Sequence, residues 1–200
     1  MDFGRSRDPS TIVFCALNPE TQQTIIFHEE YLDEDRSPEN IAKVILASQW
    51  PQIPIVVPHD GNGVATDGGS DTRAVIMKRE GCNVVAGTFS NPMEVQNTIN
   101  NVHKKHMGKE GGLTWMAHKF KNGSLKVCDN LLHFFKEKNS YFYVEKNGKS
   151  QPKDGNDHII DAARIAVLSL GRYGRAAGSC YAGAFNENNG FTNEPNTDWD

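Results

Sequence analysis

Asp157, His158 and Asp161 are the residues whose types and spacing most plainly allow chemistry. They open a run in which Ile160, Ala163 and Val167 recur at helical spacing, so the run reads as a helix with one apolar face. Asn156 or Asp157 suits the cap of its first turn, where a carboxylate also complements the helix dipole. Asp161 lies one turn after Asp157 on the same face, where two like charges repel by about a few tenths of a kcal/mol. A solvated surface tolerates such a pair. Alternatively, a cation sits between these acids and others from elsewhere in the chain. Several carboxylates brought together remain ionised only if cations compensate them, and oxygen ligands of this kind suit Mg²⁺ or Mn²⁺.

The elements that would bring other acids to this helix can be read in order. Met1 to Gly4 reads as the end of a strand, with Asp2 beside a glycine that lets the chain turn sharply. A strand this short is expected to be the remainder of a longer one in a longer protein. Thr11–Leu17 and Thr24–Tyr31 are β-prone runs joined by Asn18-Pro19-Glu20, which predicts an antiparallel three-strand meander. Ser37-Pro38 is a cap and first-turn proline before the apolar stripe Ile41, Val44, Ile45. Ile53 to Val57 reads as a short strand buried on both faces, with Asp60 just past its carboxyl end, where ligands of α/β sheets gather. Asp60 before Gly61 is equally a common turn residue.

Beyond a glycine-rich loop over 61–70, Asp71–Glu80 is predicted helical and Asn83–Gly87 a strand. Asn91-Pro92-Met93-Glu94 carries cap, proline and capping-box glutamate, so a helix is expected through Val95, Ile99 and Val102. A second helical piece surrounds Leu113–Met116. Strands at Ser124–Val127 and Tyr141–Val144 flank a short helix whose inward residues are Leu131, Phe134 and Phe135, with Tyr141 and Tyr143 also read as core. Asn147-Gly148 is a hairpin signal.

Three strands followed by alternating helices and strands, with an acidic helix last, is the order of a ribonuclease H-like α/β fold. Its central mixed sheet would combine the meander with parallel strands, between flanking helices. Asp2 and Asp60 would end adjacent strands, and the closing helix would add Asp157 or Asp161. Two divalent ions about 3.5–4 Å apart in such a cluster can activate a water and stabilise the leaving oxygen of a phosphodiester.

Met1-Asp2-Phe3-Gly4, Val57-Pro58-His59-Asp60-Gly61, Gly123-Ser124-Leu125-Lys126-Val127 and Asp157-His158-Ile159-Ile160-Asp161-Ala162-Ala163-Arg164 resemble, in this order, the nuclease domain of the tailed-bacteriophage terminase large subunit. The resemblance covers about residues 1–174, leaving 175–200 as a poorly ordered tail rich in Gly, Ala, Asn and acids. It implies a metal-dependent endonuclease that cuts concatemeric double-stranded DNA with two Mg²⁺ or Mn²⁺ ions. It also implies an ATPase domain on the same polypeptide that is absent from this chain. A small terminase subunit and a portal or procapsid would be partners, and the host cell cytoplasm the place. Asp2 and Asp60 match the first two metal-binding acids, and Asp161, or else Asp157, the third. His158 would lie near the scissile phosphate or assist the water, and Arg164 would brace the helix. Ile165 stands where relatives usually carry an aromatic.

Composition narrows the alternatives. Two hundred residues, 38% of them hydrophobic, support one substantial core, and a net charge of −4 argues against a generally basic nucleic-acid binder. A local basic face can still grip phosphates: Lys104, Lys105, Lys109, Lys119, Lys121 and Lys126 are candidates for a DNA groove, or simply a solvated face. Four scattered cysteines fit reduced thiols. No apolar run approaches bilayer length, so no membrane partner is expected. Glu29 and Glu30 read as strand-end charges, one of them able to approach a second metal. His103-x-x-His106 has a helical zinc spacing but lacks an obvious third ligand, and no phosphate-binding loop for an ATPase is present. The rival readings are another ribonuclease H-like nuclease of resolvase or transposase type, and a non-catalytic module that docks on a portal or capsid.

Overall fold

A computed structural model of the chain describes residues 1–4, 8–62, 71–86, 89, 91, 93–98, 101–106, 108–146, 149–152, 155 and 157–173. The glycine-rich stretch from 63 to 70 and the tail expected over 175–200 lie outside them.

The β-prone runs form strands β1 (Ser10–Leu17) and β2 (Thr24–Leu32), paired antiparallel with a register shift between Phe14 and Cys15. A further strand, β5 (Leu125–Val127), runs parallel to β2, giving a mixed sheet of order β1-β2-β5. On the other side of β1, Asp2 makes an antiparallel bridge to Thr11 through mutual backbone hydrogen bonds of 2.8 and 2.9 Å. The Met1 nitrogen donates to the Val56 carbonyl at 3.3 Å, and Ile55 makes a parallel bridge to Val84. The segments read as strands at Met1–Gly4, Ile53–Val57 and Asn83–Gly87 therefore extend the hydrogen-bonded layer as bridges, not as full strands.

Alternation along β1 buries both faces of this layer. Ile12 and Phe14 join a core with Ile41, Ala42 and Ile45 of helix α1 (Pro38–Ala47) and Ala74 and Met77 of helix α2 (Arg73–Arg79). Val13 points the other way, into a core with Ile26, Leu113 and Met116 of helix α3 (Lys109–Lys121), Phe134 of helix α4 (Leu132–Ser140), and Ile159, Ile160, Ala163 and Val167 of helix α5 (His158–Tyr173). Two helical layers thus enclose the sheet, and α5 packs across β1. Local signals account for the helix starts on the first face: Ser37 Oγ accepts from Asn40 N at 3.2 Å, with Pro38 in the first turn, and Thr72 Oγ1 accepts from Val75 N at 3.3 Å.

The helix expected over 91–102 is not formed. Strands β3 (Met93–Thr98) and β4 (Asn101–His106) pair antiparallel there, with Thr98 opposite Asn101. β-branched Val95, Thr98 and Val102 favour extended backbone, which outweighs the capping-box motif. The helical zinc spacing of His103 and His106 therefore does not apply. Strands β6 (Tyr143–Lys146) and β7 (Lys149–Pro152) pair antiparallel on either side of Asn147-Gly148, as the hairpin signal predicted. Tyr143 is exposed, against the expectation of a core position, whereas Phe134 is buried.

On the second face, helix starts are fixed by distant acids. Leu131 precedes α4 and offers no capping side chain; the Glu29 carboxylate from β2 instead accepts from His133 N at 2.7 Å and Phe134 N at 2.9 Å. Glu29 is thus a cap, not a free strand-end charge. Glu137, on α4, does the same for α5: its Oε2 accepts from Ile159 N at 2.8 Å and Ile160 N at 3.2 Å while its side chain is buried. β2 sets α4, and α4 sets α5. Replacing Glu137 by alanine leaves two buried amides unsatisfied and is expected to cost about 1–3 kcal/mol in urea denaturation. Glu137→Gln keeps an accepting oxygen and should cost less; equal losses for both variants would contradict the capping role.

Candidate active site

Two of the expected acids, Asp157 and Asp161, stand together at the first turn of α5. Asp161 N donates to the Asp157 carbonyl at 2.8 Å, which puts Asp157 at the cap position as the sequence suggested. Its side chain does not cap, however. A capping side chain would take the second and third amides of the helix, and Glu137 already holds those of Ile159 and Ile160. The Asp157 carboxylate is thereby released to turn elsewhere, and its Oδ2 accepts from Lys109 Nζ at 2.7 Å. The same ammonium lies 2.6 Å from Asp161 Oδ2. A cation does sit between the two like charges, and it is the first residue of α3.

Electrostatics follow from this packing. Burial alone would depress the Lys109 ammonium, but hydrogen bonds to Asp157 and Asp161 outweigh it, so Lys109 is held firmly protonated. Burial pushes the Asp161 carboxyl above the usual carboxylate value, and the charges of Arg164 and Lys109 oppose this. Arg164 is itself buried. Its Nε lies 3.3 Å from Asp161 Oδ1, one terminal nitrogen donates to Asn91 Oδ1 at 2.5 Å, and its guanidinium stands 5.3 Å over the Phe89 ring. It braces α5 against Phe89 and Asn91, as the resemblance implied. Gly112 permits the approach of α3, since a Cβ there would stand 3.0 Å from Arg164 Cδ and 3.2 Å from Asn91 Oδ1.

Asp2 joins from the sheet. Thr11, its bridge partner, donates its hydroxyl to the His158 carbonyl at 2.9 Å, and His158 Nδ1 lies 3.4 Å from Asp2 Oδ2. Gly4 is required beside it, because a Cβ would fall 1.9 Å from the Asp8 carbonyl oxygen. Asp60 lies in the short 3-10 turn His59–Asn62, and its carboxylate lies outside what the structure describes. The turn itself is lodged against the Asp2 segment: a Cβ on Gly61 would stand 2.9 Å from Phe3 Cε2 and 3.0 Å from Val57 Cβ.

Asp157 and Asp161 bring carboxylate oxygens together at the start of α5, the ligand type that suits a hard divalent ion, while the His158 imidazole stands beside Asp2. Acceptance of an ammonium by both α5 acids shows that a cation fits between them. Nearby, the Tyr141 hydroxyl is buried without a hydrogen-bond partner, and burial, partly offset by the Lys109 charge, pushes its pKa up to about 12. Among the described residues no group of three or more His, Cys, Asp or Glu is placed to hold a metal ion.

The lysines read as a basic face are dispersed in their roles. Lys109 faces the acids, Lys119 lies 4.5 Å over the Trp115 ring, and Lys121 and Lys126 are exposed. Lys104 and Lys105 lie on β4, and their side chains fall outside the description. Glu30 pairs with His28 at 2.8 Å. Sequence reading missed Glu137 as the cap and Lys109 as the counter-charge. The one available signal was a lysine at the start of a helix, where the dipole disfavours it.

Among solved structures, the chain is similar to the nuclease domain of the P22 large terminase. The identity is 18%, the match covers 83% of this chain and 76% of that one, and the TM-score is 0.63. It is also similar to the large terminase of a thermophilic bacteriophage in two crystal forms, at 17% identity with TM-scores of 0.55 and 0.56. Those matches cover 84% of this chain and 38% and 37% of the thermophilic phage's chains, so it spans under half of their length. At these identities the likeness is one of fold. No protein-family model matches the sequence, and no curated protein does. The described residues contain no helix long and apolar enough to cross a membrane.

The hydrogen bond to Asp2 raises the His158 imidazole above its ordinary 6.5, against the opposing effect of burial. A folded-state value raised in this way adds stability in full below 6.5 and loses it as pH rises through the folded value. In EDTA, the melting-temperature gap between the chain and His158→Gln should be widest near pH ~6 and narrow by pH ~8. A gap that is flat or widens with pH would remove the Asp2 pairing from the account.

Proposed function

We propose that this chain is a metal-dependent DNA endonuclease domain of a viral DNA-packaging terminase, with a ribonuclease H-like sheet. The observation that carries the reading is the convergence on α5: the Asp2 segment bonds toward it through Thr11 and His158, and the Asp60 turn packs on that same segment. The shared fold with the P22 nuclease domain supports it.

On this reading Asp2, Asp60 and Asp161, with Asp157 as the alternative third acid, hold Mg²⁺ or Mn²⁺. Two bound ions supply the Lewis acidity that activates a water and stabilises the leaving oxygen of a phosphodiester. The chain's own groups do the rest. Arg164 fixes the direction of the Asp161 carboxylate, Glu137 fixes the start of α5, and His158, oriented by Asp2, offers an imidazole at the edge of the site. Lys121 and Lys126, with Lys104 and Lys105 on β4, offer sequence-independent, salt-sensitive contacts to the backbone of double-stranded DNA. An ATPase domain on the same polypeptide, a small terminase subunit and a portal or procapsid complete the packaging context, in the host cell cytoplasm.

A non-catalytic docking module is the second reading, because Lys109 and Arg164 already balance Asp157 and Asp161 without a ligand. A resolvase- or transposase-type nuclease would show itself by preferring branched over linear DNA. Plasmid nicking with Mn²⁺ decides the main question. The chain should nick, and Asp60→Asn or Asp2→Asn should lower the rate by about a hundredfold or more, as loss of charge stabilisation at a reacting phosphate does. An inactive wild type, or an Asp60→Asn variant as active as wild type, would favour docking.

A further inference from the structure

We infer that the Lys109 ammonium is a built-in competitor of the divalent ion, occupying Asp157 and Asp161 as an internal ion pair that must open before either acid can ligate metal. This rests on the reading of those acids as metal ligands.

The placement of Lys109 is what needs explaining. It opens α3 behind Gly108, which provides no side-chain cap, so its positive charge stands at the positive end of the helix dipole. Nothing local favours a lysine there. What holds it is the pair of carboxylates 48 and 52 residues further along, at 2.7 and 2.6 Å. With Arg164 on Asp161, two positive and two negative groups cancel. A divalent ion arriving with the ammonium in place would meet its charge directly, so ion and lysine exclude each other at these oxygens.

The two sides of the pair differ in freedom. The Asp157 and Asp161 side chains are only 10% and 17% exposed, whereas the Lys109 side chain is 39% exposed. Asp157 is set by the Glu137 cap beside it and Asp161 by Arg164, so the acids stay where they are. Lysine has a flexible four-carbon stem, and a Cβ on Gly108 would meet nothing within 4 Å, so the chain before Lys109 is uncrowded. The ammonium is the partner able to leave. Without metal, it keeps the buried acids compensated and α5 folded; with metal, the ion takes over that role. Metal binding and lysine pairing are coupled equilibria: the pair weakens metal binding by the same factor as bound metal weakens the pair.

Mn²⁺ titration by calorimetry compares the chain with Lys109→Met. The variant should bind Mn²⁺ about tenfold more tightly or better; equal or weaker binding overturns the inference. Because methionine leaves buried Asp157 without a counter-charge and Asp161 with Arg164 alone, and can unfold α5, the wild-type chain is also tested directly. Lys109 is labelled with an amine-reactive acetylating ester and read by mass spectrometry, in EDTA and in saturating Mn²⁺, with exposed Lys136 as the internal reference. Labelling of Lys109 relative to Lys136 should rise several-fold with Mn²⁺. Unchanged labelling while Mn²⁺ binds overturns the competition and leaves the metal-site reading intact; no Mn²⁺ binding by either chain overturns both.

Discussion

Withdrawing carboxylates from water at one helix end is the constraint to which much of this structure answers. Glu137, Asp157 and Asp161 all crowd the start of α5, and Glu137 and Asp157 are nearly inaccessible. Unpaired charge in such a place is costly, so each acid has a dedicated partner: backbone amides for Glu137, Lys109 for Asp157, and Lys109 with Arg164 for Asp161. Burial pushes Glu137 above the usual carboxylate value, against the two amides it accepts from.

The layered architecture serves that arrangement. The core beneath α1 and α2 builds the platform and carries the Asp2 segment on its inner edge through Met1 and Phe3. The opposite core holds the three helices that deliver Lys109, Glu137 and α5. Acids act here as long-range structural ties: Glu29, expected to be a strand-end charge, reaches from β2 to α4, and Glu137 reaches from α4 to α5.

Much of this could be read from the sequence where the signal is local. Helical spacing located α5, Ser37-Pro38 opened α1, β-branched runs gave β1 and β2, and Asn147-Gly148 marked its hairpin. Reading failed where tertiary context overrides a local motif, as at Asn91-Pro92-Met93-Glu94, where the chain goes on into a strand hairpin. It failed again where partners are remote. No window around Leu131 reveals that Glu29 caps α4, and none around Lys109 reveals two aspartates half a hundred positions away. At Asp157 the local signal found the cap position, but it could not show that a distant glutamate takes over the task of the side chain there.

Thr11 shows what the sheet adds to the helix. Its side chain is fully buried, its backbone bridges Asp2, and its hydroxyl reaches the His158 carbonyl. Helix ends ordinarily fray, with their amides exchanging as though the last turn were often open. Here the opening turn is fastened to a central strand, so its exchange should be slowed toward that of β1. The conformational entropy of ordering the backbone that carries Asp2, His158 and Asp161 is then lost when the protein folds, not when a ligand arrives.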